Sequence, residues 1–401
     1  MGLAPYGKPK YTDLIKNNLI KFAEDGSFKL DMSYFNFATD LKMTNDKFHK
    51  LFGGAPRKPE SEISELEMDL AASVQKVTEE AVIQIAKNIA AETGEKNLCL
   101  AGGVALNCVA NGELLRKGIF ENIWIQPAAG DAGGAIGAAF AVWYLKFNKE
   151  RKVSLALDSM KGSYLGPKFS DDEIESDLKK VGAVYKKFTT SKMTSKVANF
   201  IANEKAIGWM QGRMEFGPRA LGGRSIIADP RSPSMQKQLN LKVKYRESFR
   251  PFAPSILREN VGEWFNHYSD SPYMLMVAEV QKTKRIPLNI DEESLFGIDK
   301  LNIHRSDIPA VTHVDYSARI QTIHSETNPI FHDLVKKFSE ISGCPIVVNT
   351  SFNVRREPIV CSPLDAFRCF MGTELDVLVI GNFILLKEEQ NKSLSENYLE
   401  K

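Results

Sequence analysis

The sequence lacks any apolar stretch long enough to span a bilayer. Its longest apolar run covers residues 135–145, which is shorter than the roughly 18 to 20 residues that a membrane-spanning helix needs. The N-terminus has neither the basic nor the apolar segment of a secretory signal peptide. Tyr6 also stands where a myristoylation signal carries Ser or Thr. We therefore expect a cytoplasmic protein without a membrane span.

Cysteine is scarce, and neither sign of charge dominates. The five cysteines are an odd number and include no Cys-x-x-Cys pair, which excludes a disulfide framework and a zinc knuckle and favours buried or half-buried free thiols. The 52 Lys and Arg and 50 Asp and Glu leave a net charge of +2. With 43% hydrophobic and 25% charged residues in 401, the composition is that of a globular protein with two domains or one large one.

Hydrophobic periodicity predicts an α/β protein in two parts. A helix over residues 65–92 precedes a β/α unit, whose elements we predict at residues 97–100 (strand), 107–117 (helix), 123–125 (strand) and 132–145 (helix). Residues 146–171 carry turn signals and mark the domain boundary. The second part has an α+β pattern, with its clearest strands predicted at residues 206–210, 346–349 and 377–386. The polar residues from 388 onward predict a flexible tail.

Three glycine-containing segments could approach a ligand. Residues 2–8 match most of a phosphate-binding P-loop, but Pro9 replaces the magnesium-binding Ser or Thr, so we interpret them as a surface or substrate-facing loop. Gly102 and Gly103 join a predicted strand to a helix, which suits a phosphate or a nucleoside or simply a tightly packed turn. Asp131 heads a helix of small residues and is either a helix cap or a metal ligand.

Positive charge is concentrated between residues 205 and 258. This segment has eleven Lys and Arg against three acidic residues, interleaved with glycine and proline. A solvated helix face would repeat its charges every three or four residues and avoid both of those residue types. Arginines held on fixed turns suit phosphate or carboxylate groups. We therefore predict an anion site, with nucleic acid as a rival that lacks the expected interleaved aromatic residues.

Two later segments add polar chemistry. Residues 347–353 form a predicted strand that ends in hydroxyl and amide groups, which could bind a phosphate or a carbonyl. Residues 310–321 alternate polar and apolar side chains and predict a half-buried strand. That strand would place on one face His313, Asp315, Ser317, Arg319 and Gln321.

Several ordered motifs resemble the O-carbamoyltransferases of nodulation-factor and antibiotic biosynthesis. They are GRMEFGPRALGGRS (212–225), KYRESFRPFAPS (244–255), AVTHVDYSARIQT (310–322) and NTSFN (349–353), with LAGGVALNCVANGELL and GDAGGAIGAA upstream. The resemblance implies an α/β fold with part of an actin and sugar-kinase-like (ASKHA) domain at residues 1–160. It further implies an α+β YrdC-like domain at residues 161–387 and a flexible tail at residues 388–401.

The resemblance also implies two linked reactions. ATP and carbamoyl phosphate would form carbamoyl-adenylate, and the carbamoyl group would then pass to a hydroxyl of a small sugar-like acceptor. Lys244, Arg246, Ser351 and Asn353 match the adenylation signature of the family. The implied anion and nucleotide contacts are Arg213, Arg219, Arg250, Arg319, Gly102 and Gly103. ATP would enter with Mg²⁺, and Asp131 matches an aspartate that ligates iron (Fe²⁺) together with paired histidines.

The chain departs from the family pattern at three places. Family members carry further residues before the segment that matches Met1, including the iron-binding histidines, so we expect half of the transferase domain to be missing from this chain. The chain would then be a fragment, the product of a split gene whose protein partner supplies the other half, or a degenerate copy. Tyr316 and Arg356 stand where the family has glycine. Two alternatives stay open: a threonylcarbamoyl-adenylate-type tRNA-modification enzyme using threonine and bicarbonate, and a non-catalytic nucleotide- or RNA-binding module.

Overall fold

A computed structural model describes residues 1–58, 61–153 and 158–394. Its α-helices are α1 (Thr12–Asn18), α2 (Asp46–Leu51), α3 (Glu65–Thr93), α4 (Cys108–Arg116), α5 (Ala132–Ala141), α6 (Asp171–Lys180), α7 (Thr190–Ala202), α8 (Met235–Gln238), α9 (Val261–Trp264), α10 (Ile290–Ser294), α11 (Pro329–Ser342) and α12 (Pro363–Met371). Its strands are β1 (Ile20–Phe22), β2 (Phe28–Leu30), β3 (Asn97–Leu100), β4 (Asn122–Ile125), β5 (Lys186–Lys187), β6 (Ile207–Met210), β7 (Arg224–Ala228), β8 (Ala253–Leu257), β9 (Met276–Glu279), β10 (Ser317–Ile323), β11 (Ile346–Ser351), β12 (Val377–Ile380) and β13 (Phe383–Leu386).

A nine-stranded mixed sheet organises the larger part of the described chain. Its strand order is β5-β13-β12-β6-β7-β11-β8-β10-β9. The β12–β6 and β10–β8 pairs are parallel, and the other neighbours are antiparallel. Strands β6, β7, β8 and β12 are buried along their whole length, as expected for a sheet covered on both faces. The prediction of a mixed α/β protein is confirmed.

The chain divides into two compact units, each built from separate segments. The first unit comprises residues 1–99, 109–124 and 288–303 and has a small apolar core around Ile15, Leu19, Phe52 and Val77. The second unit comprises residues 100–108, 125–287 and 304 onward, and it contains the large sheet. The domain ranges 1–160 and 161–387 stay predictions. Part of the predicted tail, residues 395–401, lies outside the described residues.

Local sequence signals account well for the first half of the chain. Helix α3 begins after Ser64, whose side chain forms a capping box with Glu67, and ends at Gly94 with φ +66°. The predicted elements at residues 97–145 are all present with small shifts of their ends, and α5 continues into one wider π turn, Val142–Lys146. No helix of the described ranges combines the length and apolar character needed to cross a bilayer.

Two strand predictions are wrong in detail. The single strand expected over residues 377–386 is a hairpin of β12 and β13, because Gly381 adopts φ +54° and turns the chain. The strand expected over residues 310–321 begins only at Ser317, because Pro309–Val311 forms a 3-10 turn and Tyr316 adopts φ +62°. The cysteines are free as predicted, although Cys99 is exposed rather than buried.

Candidate anion-binding site

The site lies on one face of the large sheet. Directly paired residues of neighbouring strands project from the same face. Ser255 of β8 pairs with Gln321 of β10 and with Val347 of β11. Because side chains alternate along a strand, Arg319 and Ser351 also project from that face. The sheet thereby aligns two segments that are distant in sequence.

Lys244 is the most deeply buried cation of this site. It follows a π turn, Leu239–Val243, and its backbone N–H donates to the Leu239 carbonyl at 2.9 Å. The side chain is 3% exposed. Its Nζ donates to the Ser351 carbonyl, to the Asn353 carbonyl at 2.9 Å and to Asn353 Oδ1 at 2.8 Å. These acceptors are neutral, so burial, reinforced by the charge of Arg246, lowers the pKa of Lys244 to about 7.

The end of β11 holds the partners of Lys244 in place. Ser351 Oγ donates to Asn353 Oδ1 at 2.7 Å, and Asn353 Nδ2 donates to the Glu357 carbonyl at 2.8 Å. Three of the four residues predicted as the adenylation core, Lys244, Ser351 and Asn353, are therefore in direct contact. The fourth, Arg246, acts on Lys244 through its charge.

Four arginines extend this positive region, and with Lys244 we call them the cation cluster: Lys244, Arg246, Arg250, Arg219 and Arg319. Arg246 donates from Nε to Asn240 Oδ1 at 2.7 Å and packs over the ring of Phe252. Burial, then the charges of Arg250 and Arg319, lower the pKa of Arg246 to about 10. Burial and the charge of Arg319 likewise lower the pKa of Arg219 to about 10. Arg319 therefore lies close enough to Arg246 and Arg219 to repel both.

Some guanidinium N–H groups of the cation cluster could still donate hydrogen bonds. The Nε atoms of Arg219 and Arg319 are buried without a hydrogen-bond partner in the described part of the chain. Glu247 offsets some of the charge, since its carboxylate lies 3.0 Å from Arg250 Nε. Buried like charges and unpaired guanidinium groups are costly. A phosphate or another anion, bound by paired N–H groups, would remove both costs.

Comparisons with known proteins identify the family. Residues 198–387 match the family model described as Carbamoyltransferase C-terminus, and residues 1–140 match Carbamoyltransferase N-terminus. The chain belongs to the carbamoyltransferase family. Because residues 1–140 match the N-terminal model of this family, the expectation that half of that domain is missing has no support.

Three relatives illustrate the similarity of this chain to curated proteins. An uncharacterized protein of Synechocystis is 59% identical over 97% of the chain and 64% of its own length. Nodulation protein NolNO of Sinorhizobium fredii is 38% identical over 96% of the chain and 52% of its own length. Nodulation protein NolO of Bradyrhizobium diazoefficiens is 36% identical over 96% of the chain and 65% of its own length. The chain thus spans between half and two thirds of the length of these relatives.

The remaining predicted site residues, Gly102, Gly103 and Arg213, differ in how they are connected to the cation cluster. Gly102 needs its glycine because φ is +94°, and its N–H donates to the Ala129 carbonyl at 2.8 Å. The short helix that starts at Gly103 ends at Leu106, whose carbonyl accepts a hydrogen bond from Arg219 at 3.4 Å. The glycine turn is therefore joined to the cation cluster. Arg213 is exposed and donates to the Gly166 carbonyl at 3.1 Å; its role in anion binding stays a prediction.

Asp131 does not form a metal centre by itself. It is exposed at the start of α5, and its side chain makes no capping hydrogen bond. Among the residues that the structure describes, no group of three His, Cys, Asp or Glu side chains is arranged to hold a metal ion. The donor set present does not fit an iron ion, and no chemical step is assigned to iron. The role of Asp131 as an iron ligand stays a prediction.

Two side chains that bind the loop after Arg219, Glu215 and Tyr164, give little signal in the sequence. Glu215 is one of three acidic residues in the basic segment, yet it is 6% exposed and accepts three backbone hydrogen bonds. A lone acidic residue inside a glycine- and arginine-rich run is the available signal. Tyr164, whose Oη donates to the Leu221 carbonyl at 2.7 Å, lies more than fifty residues upstream and gives no local signal.

Proposed function

We propose that this protein forms carbamoyl-adenylate from ATP and carbamoyl phosphate and acts in the transfer of the carbamoyl group to a hydroxyl of a small, sugar-like acceptor. The observation that supports this most directly is the cation cluster, with its buried, unpaired guanidinium N–H groups. The family membership supplies the carbamoyl chemistry. ATP and carbamoyl phosphate are both polyanions that such a cluster suits.

The proposed chemistry has three balanced steps. Water cleaves carbamoyl phosphate to carbamate and inorganic phosphate, and a carbamate oxygen then attacks the α-phosphorus of ATP as the bond to pyrophosphate breaks. The acceptor hydroxyl finally attacks the carbamoyl carbon and loses its proton as the bond to AMP breaks. The attack brings two anions together, so fixed positive charge lowers its barrier. Lys244 and Arg246 would neutralise the α-phosphate, and Arg219 with Arg319 would hold a second anionic group. ATP would carry Mg²⁺ on its phosphates as part of the substrate.

The fold-level assignments belong to the same proposal. We assign a YrdC-like, adenylate-forming role to residues 161–387, which contain the whole cation cluster. An ASKHA-type transfer role belongs to residues 1–160, and its support is the resemblance of the motifs there. A mixed anhydride such as carbamoyl-adenylate hydrolyses in open water, so formation and transfer within one protein would protect it.

The first test is pyrophosphate release from ATP by the full chain. Release should require carbamoyl phosphate, while threonine plus bicarbonate in a parallel assay should not support it. Lys244→Met should lose at least 90% of the rate, because a buried charge facing the α-phosphate is removed. The matched control is Lys387→Met, since Lys387 is another partly buried lysine whose pKa burial lowers to about 8.

The outcomes separate the alternatives. Release that depends on threonine and bicarbonate would replace the proposal with the tRNA-modification class of reaction. Release that is unchanged in Lys244→Met would refute the assignment of this site. Salt-sensitive binding of unrelated RNAs without any ATP turnover would favour a binding module instead.

A further inference from the structure

The backbone of the loop that carries Arg219 passes very close to neighbouring residues at two glycines. Gly222 adopts φ +104°, and a Cβ atom there would lie 2.4 Å from the ring of Phe331. A Cβ atom on Gly223 would lie 2.8 Å from the Arg213 carbonyl oxygen and 3.1 Å from the Glu215 carboxylate. Both positions exclude a side chain, so the two glycines let the backbone pass close to its neighbours.

Glu215 binds the N–H side of this loop. Its Oε1 accepts hydrogen bonds from the backbone N–H groups of Leu221 at 2.6 Å, Gly223 at 2.7 Å and Arg224 at 3.3 Å. Its Oε2 is buried without a hydrogen-bond partner in the described ranges. Burying a carboxylate with one unpaired oxygen is destabilising unless other interactions offset it. The three amides provide part of that compensation.

The carbonyl of Leu221, which belongs to the next peptide group, is bound from two other directions. The Leu221 carbonyl accepts hydrogen bonds from Tyr164 Oη at 2.7 Å and from Gln321 Nε2 at 2.8 Å. Gln321 is itself fixed, because its Oε1 accepts from Ser255 Oγ at 2.5 Å and from Asn349 Nδ2 at 2.9 Å. The loop is therefore attached to β8, β10 and β11 through one amide side chain.

This attachment connects the segments that carry two arginines of the cation cluster, Arg219 and Arg319. Leu221 lies two residues after Arg219, and Gln321 lies two residues after Arg319 on the same face of β10. We propose that Glu215, Tyr164 and Gln321 form a clamp on the N–H and carbonyl groups of Leu221 that positions Arg219 beside Arg319. Glu215 and Gln321 are thus positioning residues of the anion site. As a statement about ATP, this inference rests on the proposed function; as a statement about Arg219, it does not.

The test compares three variants of the full chain with a matched control. Glu215→Gln keeps the accepting oxygen, Glu215→Met removes it, and Gln321→Met removes one of the two donors to the Leu221 carbonyl. The control is Gln390→Met, because Gln390 is also 6% exposed and binds both backbone groups of one residue, accepting from Val184 N at 3.0 Å and donating to Val184 O at 2.8 Å. It lies after β13, toward the opposite edge of the sheet.

Two readouts are measured on each variant. Hydrogen exchange of the Arg219 Nε–H, followed by NMR of arginine-labelled protein, reports whether the guanidinium stays buried. The dissociation constant for ATP reports the site. We expect Glu215→Met and Gln321→Met to speed the exchange and to weaken ATP binding at least tenfold. Glu215→Gln should stay within about threefold of wild type, since its oxygen can still accept the amides, and Gln390→Met should change neither readout.

A double-mutant cycle distinguishes positioning from general destabilisation. If Glu215 acts through Arg219, Glu215→Met should cause no further loss of ATP affinity when Arg219 is already methionine. Additive losses, or unchanged Nε–H exchange in both methionine variants, would overturn the clamp. Wild-type protein that binds no ATP would refute the proposed function, while the exchange measurement would still decide whether the clamp positions Arg219.

Discussion

Lys244 should take up a proton when an anion binds. In the free protein, burial lowers the pKa of Lys244 to about 7, so about nine tenths of the side chains are neutral at pH 8. A phosphate beside Nζ favours the charged form and raises that pKa. Binding of ATP at pH 8 should therefore be accompanied by uptake of about 0.9 proton per site. Arg219 and Arg246, with pKa values lowered to about 10, stay charged at this pH.

The assay is isothermal titration calorimetry of ATP at pH 8 in Tris and in HEPES. The two buffers have different ionisation enthalpies, so the difference in the observed heat gives the number of protons taken up. The same linkage makes ATP affinity fall about tenfold per pH unit above pH 7, as long as the bound-state pKa exceeds the measured pH.

Two variants complete this experiment. Lys244→Met should abolish the uptake, and Lys387→Met should retain it. Lys387 also has a lowered pKa, but it packs over the ring of Phe370 and donates to the Phe370 carbonyl rather than facing the cation cluster. An uptake below 0.3 proton in wild type at pH 8, a threshold of about one third of the full linkage, would refute the reasoning. An uptake that persists in Lys244→Met would assign it to another group.

Three further predictions concern stability. The pKa of Lys244 is lower in the folded state than in the unfolded state, so the unfolded chain binds more protons between pH 7 and 10. Over that range the unfolding free energy of the wild type should therefore rise by about 4 kcal/mol relative to that of Lys244→Met. Urea denaturation of both proteins measures this difference. Arg356→Gly should stabilise the protein by about 1 kcal/mol in the same assay, since Arg356 is exposed with φ +69°, and a lower urea midpoint would contradict this. Gly222→Ala should destabilise by about 3 kcal/mol or more, because its Cβ would lie 2.4 Å from Phe331; an unchanged thermal midpoint would show that the ring can move.

Two residues stand at the positions where the resemblance leads us to expect glycine. Tyr316 and Arg356 both adopt positive φ values, +62° and +69°. This is the backbone conformation that favours glycine. At Tyr316 the cost is partly offset, because the Arg285 guanidinium packs over its ring. Arg356 has an exposed side chain, which makes it the better target for substitution.

Much of the local structure was predictable because its causes are local. The capping box at Ser64 and the glycine after α3 mark the ends of a helix whose apolar residues recur every three or four positions. The strand predictions failed where one residue adopts positive φ. Gly381 splits one apolar run into a hairpin, and Tyr316 delays the start of β10, which side-chain periodicity alone does not reveal.

The sequence by itself predicted which segments form the candidate site: the basic run at residues 205–258 and the polar end of the strand at residues 346–351. Only the tertiary structure decided how they meet. Arg319 lies near Arg219 because β10 pairs with β8 in one defined register. A shift of that register by one residue would turn Arg319 to the other face of the sheet. Gln321 binds the Leu221 carbonyl across a separation of one hundred residues. Such contacts depend on the folding of the whole sheet, so no short window of sequence specifies them.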